Sequence, residues 1–355
     1  MKLIKIGIVV ILLFVSFLFI LRFYFVTPAD ANSLDAVIAH DLRQFAEDQQ
    51  ATAAETEPKT MALLDATSNN STLLPQNVIN GVRHFTFFLG HPRSGHSIVA
   101  SLLDAHPHIV LAHEADVFTK ISSGKIPPRK SAIFNAIWKC TILSTQQGAR
   151  VSEEKGYSLL VEGLYEGKYV DHIDVIGDKK AGTTTLMLYH DTAEWSKVLR
   201  ILRSSVSSVK VIHVIRNPYD NIATDILYAS HSINKLLDIK KNNTAVEVKL
   251  SSLSKHINQY FILHDAIEAA KKMFDLDIID VHIKDLIANQ RSTLLKLCGF
   301  LHVVCPDDYI DTCSKKMYKT ESKTRYLVKW SDESLDKVQE NIEYYGNLHG
   351  YDFNL

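Results

Sequence analysis

Net charge is almost absent from this chain. Its 39 lysines and arginines stand against 40 aspartates and glutamates, a formal charge of −1, so no global field draws it to nucleic acid. Cysteine is scarce, at 4 in 355 residues, and no two are spaced as a zinc pair. His106, His108 and His113 crowd one region, and His113-Glu114 begins like H-E-x-x-H, but Val117 stands where the second histidine belongs. No metal site is expected, and the histidines read as structural or polar-surface groups. Internal repeats are also lacking.

What is present is concentrated between Phe85 and Glu114. The run His84 to Leu89 is aromatic and apolar enough for a buried strand, and Ser97-Ile-Val-Ala-Ser-Leu-Leu has the spacing of a helix packed on a sheet. Between them lies the turn Gly90-His-Pro-Arg-Ser-Gly95. A helix that starts after such a turn aims free N–H groups and a positive dipole end at one spot, where a phosphate or sulfate sits well. The spacing nearly reproduces the P-loop G-x-x-x-x-G-K-[ST], but His96 takes the lysine position. The strand Val209 to Ile215 ends in Arg216-Asn217-Pro218 rather than in a metal-holding aspartate. The site therefore reads as a nucleotide cradle with arginine contacts and no metal.

From roughly Phe85 to Phe353 the chain resembles the sulfotransferases that use 3′-phosphoadenosine 5′-phosphosulfate (PAPS). Pro92-Arg93-Ser94-Gly95-His96-Ser97 is similar to the family's 5′-phosphosulfate loop, P-[KR]-S-G-T-[TS]. Arg216-Asn217-Pro218-Tyr219-Asp220 with Thr224 is similar to the 3′-phosphate element R-[ND]-P-x-D-x-x-x-S, and Lys323-Thr324-Arg325 with Trp330 to the late basic loop that closes over the nucleotide. Asp104 to Pro107, and the interval from Arg93 to Glu114, look most like the tyrosylprotein and Golgi carbohydrate branches. Val175-Ile-Gly-Asp-Lys-Lys180 resembles a strand end whose lysine reaches the sulfuryl group, which nominates Lys179, with Lys180 competing for the role.

The resemblance implies sulfuryl transfer from PAPS as cosubstrate. Glu114 would take the acceptor's proton, while Arg93, Lys179 and the loop amides stabilise charge growing on the leaving oxygen. Arg93, Ser94, Gly95, His96 and Ser97 would hold the 5′ end of the nucleotide. Arg216 and Thr224 would grip the 3′-phosphate. Lys323 and Arg325 are nominated for the same nucleotide, although a charged stretch of this kind is most simply solvent-facing. Two other classes stay open: a non-catalytic PAPS- or nucleotide-binding member, and a P-loop kinase requiring Mg²⁺. The acceptor is a hydroxyl of a glycan, a protein tyrosine or a small alcohol. Lys120, Lys125, Arg129 and Lys130 either attract an anionic acceptor or form a solvated basic loop.

At the N-terminus, Lys2 and Lys5 precede an apolar run from Ile6 to Leu21, followed by Arg22 and the aromatic Phe23 to Val26. Residues 1–26 read as a cytoplasmic tip and an uncleaved single-pass anchor of type II, with the body in the Golgi lumen. A signal peptide cleaved near Ala29-Asp30-Ala31 is the alternative. Residues 27–80 have the polar composition of a stem. A stripe of Leu34, Val37, Ile38, Leu42 and Phe45 reads first as a short helix and second as a weak self-association stripe for a homodimer, and the sequons at Asn69, Asn70 and Asn242 suit a lumenal glycoprotein.

Residues 81–355 then form one catalytic domain of α/β class, a parallel sheet flanked by helices with a P-loop-like turn. Strands are expected near 85–90, 109–113, 173–177, 209–215 and 278–283, and a late helix over Ser331 to Tyr345. Cys305 and Cys313 can pair, while Cys140 and Cys298 lie in apolar helical contexts that suit buried thiols.

Overall fold

The computed structural model describes residues 73–148, 151–152 and 157–354. The expected anchor, most of the expected stem and the sequons at Asn69 and Asn70 lie outside them. Among the described residues no helix is long and apolar enough to cross a membrane. Asn242 is exposed at a helix end.

The chain enters through α1 (Gln76–Gly81), then β1 (His84–Gly90), α2 (His96–Asp104), β2 (Ile109–Ala112), α3 (Val117–Ser122) and α4 (Lys130–Gln146). A short antiparallel ladder joins β3 (Val151–Ser152) to β4 (Tyr157–Ser158). Next come β5 (Val175–Asp178), α5 (Ala181–His190), α6 (Thr192–Ser205), β6 (Ser208–Ile215), α7 (Pro218–Ser230), α8 (Ile233–Asn242) and α9 (Leu250–Met273). After β7 (Asp277–His282) follow α10 (Ile283–Ala288), α11 (Gln290–Leu301) and α12 (Asp307–Lys316). A 3₁₀ turn at Thr324–Leu327 precedes α13 (Asp332–Tyr344).

Five strands form one sheet in the order β2-β5-β1-β6-β7, and every pairing in it is parallel. The expected strands are these five. A parallel sheet needs cover on both faces, so its strands read as continuous apolar runs. In β1, Phe85, Phe87 and Leu89 point into a cluster with Phe134, Trp195 and Val198. Phe88 points the other way, among Val99, Leu102, Leu297 and Tyr309. Each of these phenylalanines is at most 1% exposed, and burying one contributes about 2 kcal/mol. Val209 and Val211 of β6 face the first cluster, Ile212 and Val214 the second. The period-2 alternation thus places helices on both sides.

β1 sits between β5 and β6, and the chain leaves it in one direction for β2 and later returns on the other side through β6. In such sheets ligands bind outside the carboxyl ends of the strands at this switch point. The turns after β1, β2, β5 and β6 all open there. The turn after β6 shows how its sequence sets a helix start: Asn217 accepts the Tyr219 N–H at 3.0 Å and Pro218 occupies the first turn. Ser331 similarly caps α13 through Ser334 N–H, close to the expected boundary.

Two readings are corrected. The disulfide joins Cys298 to Cys305, with Cα atoms 6.0 Å apart, not Cys305 to Cys313. The left-handed turn at His302 brings Cys305 back beside the end of α11, whereas Cys313 lies on the buried side of α12 with Tyr309 and Ile310 and aims its thiol at Leu102 O. Cys140 and Cys313 are the free cysteines. The stem boundary also moves. Leu74, Val78 and Ile79, within the segment read as stem, are buried in the core cluster that contains Phe85.

Gly177 is the more crowded of the two glycines in the five-stranded sheet. A Cβ there would lie 2.0 Å from Thr86 O and 2.9 Å from a Leu111 methyl, and a strand backbone cannot retreat without breaking its ladder. Gly177→Ala should therefore destabilise the fold by about 3 kcal/mol, read as a lowered urea midpoint with unchanged m-value.

Candidate functional site

The turn between β1 and α2 has a fixed shape. Gly90 has φ 140° and Gly95 φ 96°, and a Cβ on Gly95 would come within 2.8 Å of Ile283, so neither position accepts a side chain cheaply. Arg93 also adopts a left-handed φ of 67°, uncommon for a residue with a side chain. Neighbouring elements brace the turn: the Thr185 hydroxyl accepts Gly90 N–H at 3.0 Å, and the Asn221 amide donates to Pro92 O at 2.8 Å. Gly95 offers α2 no side-chain cap. The first amides of α2 remain available to an anion.

Glu114 stands beside this helix start. Its φ is 72° and that of Asp116 is 57°, a strained turn of the kind that persists only when its surroundings impose it. Asp178, at the end of β5, imposes it: one carboxylate oxygen accepts Ala115 N–H at 2.8 Å and the other Val117 N–H at 3.0 Å. Burial pushes the Asp178 carboxyl up to about 6, against the pull of those amides.

The next two residues, Lys179 and Lys180, both reach Glu114. Lys179 Nζ donates to Oε1 at 2.7 Å and to Ser97 Oγ at 3.0 Å. Lys180 Nζ donates to Oε2 at 2.8 Å. Burial alone would raise the Glu114 pKa, but the two ammonium groups overcome it and hold the carboxyl well below the usual carboxylate range. Lys179 is only 1% exposed while Glu114 is 36% exposed. The lysine is buried and the carboxylate can be approached.

Arg216 organises a second cluster after β6. It donates to Arg93 O at 3.3 Å, Thr224 Oγ1 at 2.9 Å, Ser322 O at 2.8 Å and Thr324 Oγ1 at 3.0 Å. The Thr224 and Thr324 hydroxyls lie 2.7 Å apart. Tyr228, Leu236, Ile239 and Lys240 line a shallow surface beside them. The Arg93 guanidinium lies 4.0 Å from the centre of the Tyr228 ring, a cation–π contact on this second cluster. Lys323 is exposed, as a charged stretch suggests, but Arg325 is not. Its side chain is 1% exposed and its guanidinium faces Asp220 at 3.5 Å, while Asp220 also accepts Arg325 N–H at 2.9 Å. The fourth position of the helix start, an aspartate inside an apolar core, needs this cation.

The structure thus gathers His96, Ser97, Glu114 and Lys179 at the start of α2. It sets Arg216 and Thr224 in a second cluster that shares the Arg93 carbonyl. Lys180, the rival of Lys179 in the sequence, joins the site with it, and Asp178, Asn221, Thr185 and Thr324 lie there although none of the four was nominated from the sequence. A legible signal existed for Asp178, an acid ending an otherwise apolar strand. The others lie on helices or turns whose approach to the loop depends on tertiary packing. Among the histidines of the region, His106 is structural: it is fully buried and pairs with Val304 O at 2.9 Å. Farther away, His213, Glu268 and Asp280 bring ligand atoms within 4.8 Å of one another. The Lys271 ammonium already bridges the two carboxylates there, at 2.6 and 2.8 Å.

His96, the departure from the lysine of a P-loop, accepts or shares a hydrogen bond with Ser94 Oγ at 3.2 Å. Burial drives its pKa from 6.5 down to about 3, helped by Lys179, so it is neutral at physiological pH. His264, fully buried, is also pushed down to about 3, and His91 well below 6.5. Each binds a proton in the unfolded chain that the fold excludes. Stability is complete above pH 6.5 and falls as the pH drops below it. Lowering the pH from 7.5 to 6.0 should cost about 2 kcal/mol for the three imidazoles, after a small opposing gain from Asp178. Urea midpoints at the two pH values test this, and equal midpoints would mean that the folded protein takes up these protons.

A profile of the Sulfotransferase family matches residues 86–307. None of the curated proteins compared with the chain matches it. Among solved structures, the sulfotransferase STF1 of Mycobacterium tuberculosis is similar at 14% identity and a TM-score of 0.41, over 74% of this chain and 79% of that one. STF9 of Mycobacterium avium is similar at 9% identity and 0.39, over 76% and 79%. Mouse SULT7A1, solved with PAP, is similar at 13% and 0.33, over 78% and 84%. The family match runs from β1 through the loop, the Glu114 turn, both lysines, Arg216 and Thr224 into the start of α12. On that match, this chain belongs to the sulfotransferase family.

Proposed function

We propose that the chain moves the sulfuryl group of PAPS to an acceptor hydroxyl, with Glu114 as the general base. The observation that carries this reading is the continuous chain from Ser97 through Lys179 to Glu114, which ties a carboxylate to the anion-binding start of α2. The acceptor O–H would give its proton to Glu114 as its oxygen forms the new O–S bond. The bond from sulfur to the 5′-phosphate oxygen would break and adenosine 3′,5′-bisphosphate would leave. Lys179 would shift from Oε1 to the sulfuryl end, where a cation favours the transition state over the ground state. A carboxylate held by two ammonium groups is a poor base, so that shift also restores its basicity.

The residues fit the nucleotide in two places. The open amides of α2 suit the 5′ end, and the fork of Arg216 beside Thr224 suits the 3′-phosphate. Lys323, exposed beside that pair, and Arg93 supply further positive charge. Closeness to the tyrosylprotein and Golgi carbohydrate branches is supported by the Arg93-to-Glu114 interval. A type II anchor with the body in the Golgi lumen is supported by the N-terminal sequence alone. The acceptor is a hydroxyl of a glycan, a secretory-protein tyrosine or a small alcohol, and a panel of these with radiolabelled PAPS would identify it.

Glu114→Gln keeps the shape of the side chain and removes the base. Turnover should fall by about 10²-fold or more with nearly unchanged affinity for adenosine 3′,5′-bisphosphate. Undiminished turnover in single-turnover assays would dismiss Glu114 as the base. Arg216→Ala should weaken adenosine 3′,5′-bisphosphate by about 2 kcal/mol more than adenosine 5′-monophosphate, which lacks the 3′-phosphate. Equal losses by calorimetry would assign Arg216 to the loop alone.

A further inference from the structure

Two lysines hold Glu114, and they do so differently. Lys179 Nζ spans Oε1 and Ser97 Oγ, at 2.7 and 3.0 Å, and so belongs to the loop helix. Lys180 Nζ takes only the opposite oxygen, Oε2, at 2.8 Å. The backbone of Lys180 is pinned as the cap of α5: its carbonyl accepts the Thr184 hydroxyl and the Thr184 N–H at 3.1 Å. Its side chain is 15% exposed, against 1% for Lys179. Without these lysines a glutamate on a left-handed turn, 36% exposed, has several rotamers open to it.

We propose, resting on the reading of Glu114 as the base, that Lys180 is a positioning residue which anchors Oε2 so that Oε1 stays turned toward the loop and receives the acceptor proton. The division of labour follows from the geometry. When the sulfuryl group draws Lys179 away, Oε1 is freed for the proton and Oε2 keeps its partner. The base therefore gains reactivity without losing aim, which matters because small misplacements of a catalytic group are costly in rate.

The same contact sets the proton affinity of the base in the substrate complex. The charged and titratable groups around Glu114 are Lys179 and Lys180 after β5, Asp178 at its end, Asp116 in its own turn, His96 on α2 and Cys140 on α4. His96 is neutral, and burial pushes the Cys140 thiol up to about 12, so neither supplies a compensating cation. Once Lys179 has moved, Lys180 is the cation left to favour the ionised form. Removing it raises the pKa of the base and moves the acid limb of kcat upward.

The test uses the full chain with PAPS and whichever acceptor the panel identifies. Lys180→Met should lower kcat about 10- to 50-fold and move the acid limb of the kcat profile up by about one pH unit, with affinity for adenosine 3′,5′-bisphosphate unchanged. Lys180→Arg should restore most of the rate, and Lys180→Gln carries the same test if Met at this position impairs folding. In the Glu114→Gln background, Lys180→Met should cost nothing further. An unmoved acid limb with wild-type kcat in Lys180→Met, while Glu114→Gln is slow, would overturn this inference and leave the base in place. Full turnover in Glu114→Gln would overturn the base itself.

Discussion

Asp178 is the constraint on which the site depends. It ends a strand that is buried throughout, and its two oxygens hold the amides of Ala115 and Val117. That pair of hydrogen bonds forces the chain leaving β2 through left-handed backbone at Glu114 and Asp116, and so fixes where the carboxylate of Glu114 stands. The same strand end delivers Lys179 and Lys180 to it. A buried acid thus spends its hydrogen bonds on the shape of a turn, and an exposed acid on that turn meets two lysines from the strand beside it. Replacing Asp178 by an apolar residue would orphan two buried amides as well as the turn.

The sheet supplies the rest of the geometry. Because β2, β5, β1 and β6 are parallel and adjacent, their carboxyl ends bring four separate turns to one edge, and residues far apart in sequence become neighbours. Bracing runs across these turns rather than within them. Asn221 on α7 holds Pro92, Thr185 on α5 holds Gly90, and Arg216 holds the Arg93 carbonyl. The loop is rigid because three elements that are themselves packed in the core each grip one of its residues.

Much of this was legible in the sequence. The five strands and the Gly-bracketed turn could be named from apolar runs of clear period, and Glu114 and Arg216 stand at the ends of such runs, whereas Lys179 and Thr224 were named through their likeness to family motifs. What was not legible depends on which face of a helix meets the core. Arg325 reads as a solvated charge in a charged stretch, yet the aspartate four residues after Arg216 draws it inside. Cys298 reads as a buried thiol on an apolar helix face, but the left-handed turn at His302 returns Cys305 to it. Lys180 appeared as a rival of Lys179, and only the positions of Oε1 and Oε2 separate their tasks. The polar composition of residues 74–80 hid Leu74, Val78 and Ile79, too few to make a pattern yet enough to join the core.

Arg216 carries one more consequence. The donors of its two terminal nitrogens are already taken by two backbone carbonyls and two threonine hydroxyls, drawn from the loop after β1, from α7 and from residues 322–324. An anion at this guanidinium exchanges bonds rather than adding them. Part of its intrinsic binding energy would then go to untying residues 322–324, and the net binding free energy would be the difference between two sets of contacts. By reciprocity, whatever stiffens that strap weakens the ligand, and whatever frees it tightens the grip. On the proposed reading the strap and the nucleotide would compete for one side chain, so the departure of the spent nucleotide and the re-tying of residues 322–324 would be a single event.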